Sequence, residues 1–120
     1  MEIIAEIAQG FEGNDKLAKL LVKGGVAAEA DSIKLQLVFA DELCIPNYHY
    51  YDFFSSLEMT VKTWEEIAFI VHKANKNLYF DIYGNKSFEM AKKLKADGVK
   101  ISSTDFYNFE LIQKSIEYFN

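Results

Sequence analysis

Apolar and polar side chains alternate strictly through DSIKLQLVF, residues 31–39, with Ile33, Leu35 and Leu37 on one parity and Lys34 and Gln36 on the other. A period of two sends successive side chains to opposite faces, so the segment predicts a strand with one apolar and one polar face. Three more segments fit strands: EIIAEIA (2–8), followed by turn-forming GFEGND, LYFDIYG (78–84) and VKISS (99–103). Between them the period becomes helical. From Asp15 onward, Leu17, Leu20, Leu21, Gly24, Ala27 and Ala28 recur at helix spacing, with the Gly24-Gly25 pair as a weak point. Val61, Trp64, Ile67, Ala68, Val71 and Ala74 share one face of a second helix, with Thr60 and the Thr63-to-Glu66 spacing as capping groups. NKSFEMAKKLKADG predicts a third helix closed by a turn at Asp97-Gly98. Asn108 caps a fourth that bears Phe109, Ile112, Ile116 and Phe119. Residues 40–59 read as a long connection holding Pro46, the only proline, and the aromatic patch YHYYDFF.

Strand followed by helix, four times over, predicts an α/β fold with a parallel sheet and right-handed crossovers. Such a (βα)4 unit is half of an eight-unit (β/α)8 TIM-type barrel, and residues 1–120 are read as one partial-barrel domain. Each predicted strand has a continuous apolar face for the helices. The opposite faces collect Glu6, Lys34, Gln36, Asp81, Tyr83 and Lys100. Barrel-type sheets place their sites inside the ring, at the carboxyl ends of the strands. Two lysines there could neutralise a dianionic or trianionic ligand, which would explain why Lys100 stands between Val99 and Ile101. The same residues also fit ion pairs without any ligand, Glu6 with Lys34 and Asp81 with Lys100.

Composition narrows the partners. At 120 residues and 50% hydrophobic content the chain suits one domain with a real core. No apolar run approaches bilayer length, no secretion signal is legible, and the single Cys44 has neither a disulfide partner nor a base to activate it; a cytoplasmic setting is expected, and no membrane. The net charge of −5, with no basic stripe, argues against nucleic acid. All 13 basic residues are lysines, so a bound anion would be held by ammonium groups and backbone N–H rather than by the arginine fork.

Four stretches, in order along the chain, resemble the N-acetylneuraminate (sialic acid) synthase family and its relatives that make other nonulosonic acids. IIAEIAQGFEGN resembles the family's opening strand and turn, ADSIKLQ its Lys-x-Gln strand, YYDFFSSLEMTVKTWEEI its aromatic loop and following helix, and VKISSTDFYNFELI its Lys-Ile-x-Ser segment. The resemblance implies a (β/α)8 barrel that condenses phosphoenolpyruvate with an N-acylated amino sugar such as N-acetylmannosamine, using a divalent metal, manganese or magnesium. It further implies that Lys34 and Lys100 bind the phosphoenolpyruvate anions, that Ser103 donates a hydrogen bond, and that Glu6 works on the sugar side of the pocket. Gln36 and Asp81 join them as substrate-binding candidates. By the same resemblance the chain is the N-terminal half of the barrel: the metal-binding histidines belong to later strands, His49 and His72 match no ligand position, and a C-terminal antifreeze-like domain lies elsewhere. The chain departs from the family at Gly10 and Phe11, at IYGN closing the third strand, and at Glu29, where a glycine would normally end the first helix. Three readings therefore stand together: a barrel half of such an enzyme, a non-catalytic anion-binding or phosphate-binding module, and a barrel-completing unit that pairs with a copy of itself or with a missing C-terminal half. Unpaired first and fourth strands predict self-association.

Overall fold

The computed structural model describes residues 1–119. Its four strands, β1 (Ile4–Ala8), β2 (Ser32–Gln36), β3 (Asn77–Ile82) and β4 (Gly98–Ile101), form one parallel sheet in the order β1-β2-β3-β4. Sequential strands that stay adjacent and parallel are the arrangement of a barrel wall, and the four units make a (βα)4 half-barrel. Helices α1 (Asp15–Ala27), α2 (Ala40–Leu43), α3 (Tyr51–Ser56), α4 (Val61–Lys73), α5 (Asn85–Lys93) and α6 (Phe109–Tyr118) connect and follow the strands. No helix among the described residues is long and apolar enough to cross a membrane.

The odd-parity face of β2 supplies Ile33, Leu35 and Leu37, and β3 supplies Leu78, Phe80 and Ile82, all fully buried beneath the helices. Trp64 on α4 packs edge-on between Phe11 and Phe80, with ring centroids 5.7 Å from each. Gly25 lets α1 settle on the sheet, because a Cβ there would lie 2.7 Å from the buried Cδ1 of Ile33. Asn14 caps α1 by accepting from the N–H groups of Lys16 and Leu17; Thr60 caps α4 and Asn108 caps α6 as the sequence suggests.

Several boundaries and faces differ from expectation. The strands are shorter than their apolar runs, and the 85–98 helix stops at Lys93, with Lys95 rather than Gly98 taking the left-handed turn at φ 54°. Residues 40–59 are not plain connection: α2 and α3 lie within them, and Tyr48, Tyr50 and Phe53 of the aromatic patch are exposed. On α1 the buried side chains are Ala18 and Val22, while Leu20, Gly24, Ala27 and Ala28 face outward. On α6 they are Leu111 and Ser115, while Phe109 and Ile116 are exposed. Helical period identifies an apolar stripe but not what covers it, and both misread stripes sit on the terminal helices of the half-barrel. Glu29, where the resemblance has a glycine, takes a positive φ of 61°.

Candidate functional site

The side chains that alternate with this core, even-numbered in β1, β2 and β4 and odd-numbered in β3, emerge on the face that the helices leave uncovered. Register brings Glu6 opposite Lys34, Gln36 opposite Asp81, and Asp81 opposite Lys100, so charged groups from all four strands meet in one chain. The Lys34 ammonium contacts the Glu6 carboxylate and lies 3.2 Å from Asp81 Oδ1, and the Lys100 ammonium lies 3.2 Å from Asp81 Oδ2. Asp81 is the hub, with its side chain only 3% exposed, whereas that of Lys100 is 58% exposed. Lys100 donates a hydrogen bond to Oδ2, but the Lys34 contact with Oδ1 is electrostatic without hydrogen-bond alignment. Two carboxylates and two ammonium groups make the cluster neutral.

Local backbone fixes this geometry. The β1 register slips between Glu6 and Ala8, and Ala8 sits in the left-handed region at φ 51°. That bend turns the Ala8 N–H back onto Glu6 Oε1 at 3.0 Å, so the carboxylate is held between a backbone donor and Lys34. A positive φ on a non-glycine residue is uncommon and clusters at working sites. Burial pulls the Lys34 ammonium's pKa down, but its hydrogen bond to Glu6 and the negative charges of Asp81 and Glu6 outweigh that and leave it raised.

Gln36 does not join the ion chain; its Oε1 accepts from the Tyr83 hydroxyl at 2.6 Å. Burial, reinforced by the Asp81 charge, pushes that hydroxyl up to about 12. Ser103 is exposed and opens a short 3-10 turn, Ser103–Asp105, past β4. Its neighbour Ser102 is the buried serine, and its Oγ receives hydrogen bonds from the Thr104 N–H and hydroxyl. The structure therefore assembles Glu6, Lys34, Asp81 and Lys100, sets Gln36 beside them, and leaves Ser103 outside their contacts.

Two participants escaped the sequence reading. Glu2 extends the even parity of β1 and accepts from Ser32 Oγ, Tyr79 Oη (2.9 Å) and Asn77 Nδ2 (3.4 Å); the Ser32 and Tyr79 hydrogen bonds lower its pKa. Carrying the alternation back by two residues would have found it. Glu42 reaches from α2 to the start of α5, where it accepts from the Lys86 and Ser87 N–H groups. The α5 amino terminus, beside the carboxyl end of β3, is thus capped from within the chain, a contact that local sequence could not announce. A groove of about 400 Å³ crosses the polar face, lined by Glu2, Ile4, Lys34, Tyr79, Gly98, Val99 and Lys100. It lies over the amino-terminal half of the strands and not at their carboxyl ends, where the barrel analogy placed the site.

Metal binding does not fit this donor set. Among the described residues no three His, Cys, Asp or Glu side chains converge, and Glu6 and Asp81 are each engaged by lysine.

Comparison with known proteins adds distant likenesses. No family model matches the chain. An uncharacterised protein of Methanocaldococcus jannaschii is 27% identical over 112 residues, spanning 93% of this chain and 33% of that protein. The crystal structure of an N-acetylneuraminic acid (sialic acid) synthetase from Leptospira borgpetersenii, in complex with citrate, superposes with a TM-score of 0.86 at 21% identity, covering 98% of this chain and 42% of that one. A putative spore coat polysaccharide biosynthesis protein E from Chromobacterium violaceum superposes at 0.73 with 14% identity, over 92% of this chain and 36% of that one. The chain thus spans a third to two fifths of the length of these proteins. It shares the fold of one part of a sialic acid synthetase and of a polysaccharide biosynthesis protein.

Proposed function

We propose that the chain is a half-barrel unit of a sialic-acid-synthase-like enzyme acting in the cytoplasm, and that its uncovered sheet face receives phosphoenolpyruvate. The observation that carries this reading is the meeting of Lys34 and Lys100 at one buried carboxylate, Asp81, on that face. Oriented ammonium groups in a partly dry groove stabilise an incoming phosphate or carboxylate without having to reorganise. Lys100 is the arm open to an incoming anion: it is largely exposed and, among the described residues, pairs with Asp81. Asp81 positions both lysines, Gln36 and Ser103 supply hydrogen bonds to substrate, and Glu6 faces the amino sugar, N-acetylmannosamine or a relative. The condensation needs more barrel than these four units supply, so the 120-residue chain alone is expected to show no turnover, even with manganese.

A second reading is favoured by the neutrality of the cluster. Its charges already satisfy one another, as in a non-catalytic anion-binding module or a wall that only completes a barrel. Calorimetry distinguishes the readings. Phosphoenolpyruvate and inorganic phosphate are expected to bind the wild-type chain and not the Lys34→Ala/Lys100→Ala variant; equal binding to both would remove the site, and no binding to either would leave the wall alone.

A further inference from the structure

We infer that Tyr83 is a positioning residue: its hydroxyl fixes the Gln36 side-chain amide so that the nitrogen end, and not the carbonyl, faces a ligand on the polar face. The inference rests on the reading of that face as an anion site and adds to it a residue that itself touches no ligand. Tyr83 follows Tyr79 and Asp81 on the polar parity of β3, one residue past Ile82, the strand's last. Its backbone is pinned there, because its N–H donates to Oγ of the fully buried Ser87 at 2.9 Å. Tyr83 is only 8% exposed, and a buried tyrosine hydroxyl needs a partner. Gln36 Oε1 is that partner, at 2.6 Å.

What surrounds the hydroxyl decides which way the amide turns. Burial and the Asp81 charge raise the pKa of this hydroxyl, while the Gln9 side chain, just past β1, pulls it back, as an N–H aimed at the phenol oxygen does. A hydroxyl that receives from Gln9 keeps its own proton for Gln36, and a donor selects the carbonyl end of an amide. Among the described residues Asp81 Oδ1 is the buried side-chain atom without a hydrogen-bond partner; Gln36 Nε2, which also has none, is therefore open to solvent. Register sets this nitrogen in the row of the ion cluster: Gln36 stands opposite Asp81, and Asp81 opposite Lys100. The row thus offers an ammonium on one side of Asp81 and an amide nitrogen on the other. Turned round, the same amide would present a carbonyl oxygen, which repels an anion. A ligand with acceptor oxygens at both ends, one phosphate and one carboxylate, suits such a row, and phosphoenolpyruvate is of that class.

A double-mutant cycle on phosphoenolpyruvate binding, followed by calorimetry at one salt concentration, tests this. Tyr83→Phe keeps the ring and should bind about three- to tenfold more weakly than wild type, the worth of one hydrogen bond left unoriented. Gln36→Met keeps the length of the side chain without its amide and should weaken binding at least as much. In the Gln36→Met background Tyr83→Phe should then change nothing, because the group it acts through is gone. A tyrosine that only stabilised the sheet would produce the same loss in both backgrounds. The Gln36 side-chain amide gives a second readout, which decides where the double variant does not fold: its nuclear magnetic resonance signals should shift when phosphoenolpyruvate is added to wild type, and shift less in Tyr83→Phe. Equal binding by Tyr83→Phe and wild type, an equal loss in both backgrounds, or a Gln36 amide that ignores ligand in wild type overturns the inference and leaves the lysine site standing. No binding to wild type overturns both.

Discussion

On the helix-covered face of the sheet, Ile33, Leu35, Leu78, Phe80 and Ile82 are fully buried in an apolar core; one residue along the strand, on the opposite face, Lys34 and Asp81 join Glu6 and Lys100 in a set of charges that meet one another, the Ala8 N–H and solvent. The same alternation wrote both faces. They differ in what each side chain loses by being there. An apolar side chain gains by leaving water whatever its neighbours, at about 25 cal/mol per Å². A charged one must first recover its hydration through a partner. The covered face can therefore hold the fold on its own, while the polar face is stable only as a set, and a change in one member is felt by the others.

The largest effect should come from the covered face. Trp64→Ala opens a cavity between Phe11 and Phe80 and should cost about 3–5 kcal/mol by denaturant unfolding, enough to leave little folded chain. On the polar face Asp81→Asn leaves two lysines without their shared carboxylate and should cost about 2 kcal/mol, less than the tryptophan because Lys100 already reaches water. A cost equal to that of Trp64→Ala would erase the contrast between the faces.

A pH series sharpens it further. The Tyr83 hydroxyl is held up to about 12, so between pH 10 and 12 the unfolded chain loses this proton while the folded chain keeps it. The unfolded state then binds fewer protons, and stability must fall as pH rises through that window. The raised Lys34 acts with the same sign: its contribution is full below the ordinary lysine value and is lost as pH climbs through the folded one. Tyr83→Phe should cost about 1 kcal/mol at neutral pH for its hydrogen bond to Gln36 and should flatten the alkaline decline; an unchanged slope would show that Tyr83 does not sense the cluster. The smallest effect is expected for Lys100→Ala, about 0–1 kcal/mol, because the Lys100 side chain is largely solvent-exposed and Lys34 stays beside Asp81.

Strand parity made most of the polar face legible. Lys34, Asp81 and Lys100 could be assigned to one surface from a period of two, and the pairing of Glu6 with Lys34 followed from their being on neighbouring strands. Helix parity was less informative, because an apolar stripe looks the same whether it meets a sheet or awaits a partner; α1 and α6 were misread for that reason. Three features depend on the folded backbone and had no sequence signal: the left-handed Ala8 that turns Glu6, the capping of α5 by Glu42 from 44 residues away, and the position of the groove over the amino-terminal half of the strands. Glu29 stood out only as a departure from the family's glycine, and its positive φ is a feature of the folded turn that glycine suits best.

The central claim is that the polar face is an anion site whose ammonium groups are held by Asp81 until a ligand draws on them. Titrating phosphoenolpyruvate into wild-type chain and into folded Asp81→Asn, at one salt concentration, tests it most directly. Removing the competing carboxylate leaves both lysines free for the ligand, so the variant should bind about tenfold more tightly, a difference of about 1.4 kcal/mol. Equal or weaker binding by Asp81→Asn would contradict the account and reduce the four charges to a structural ion cluster.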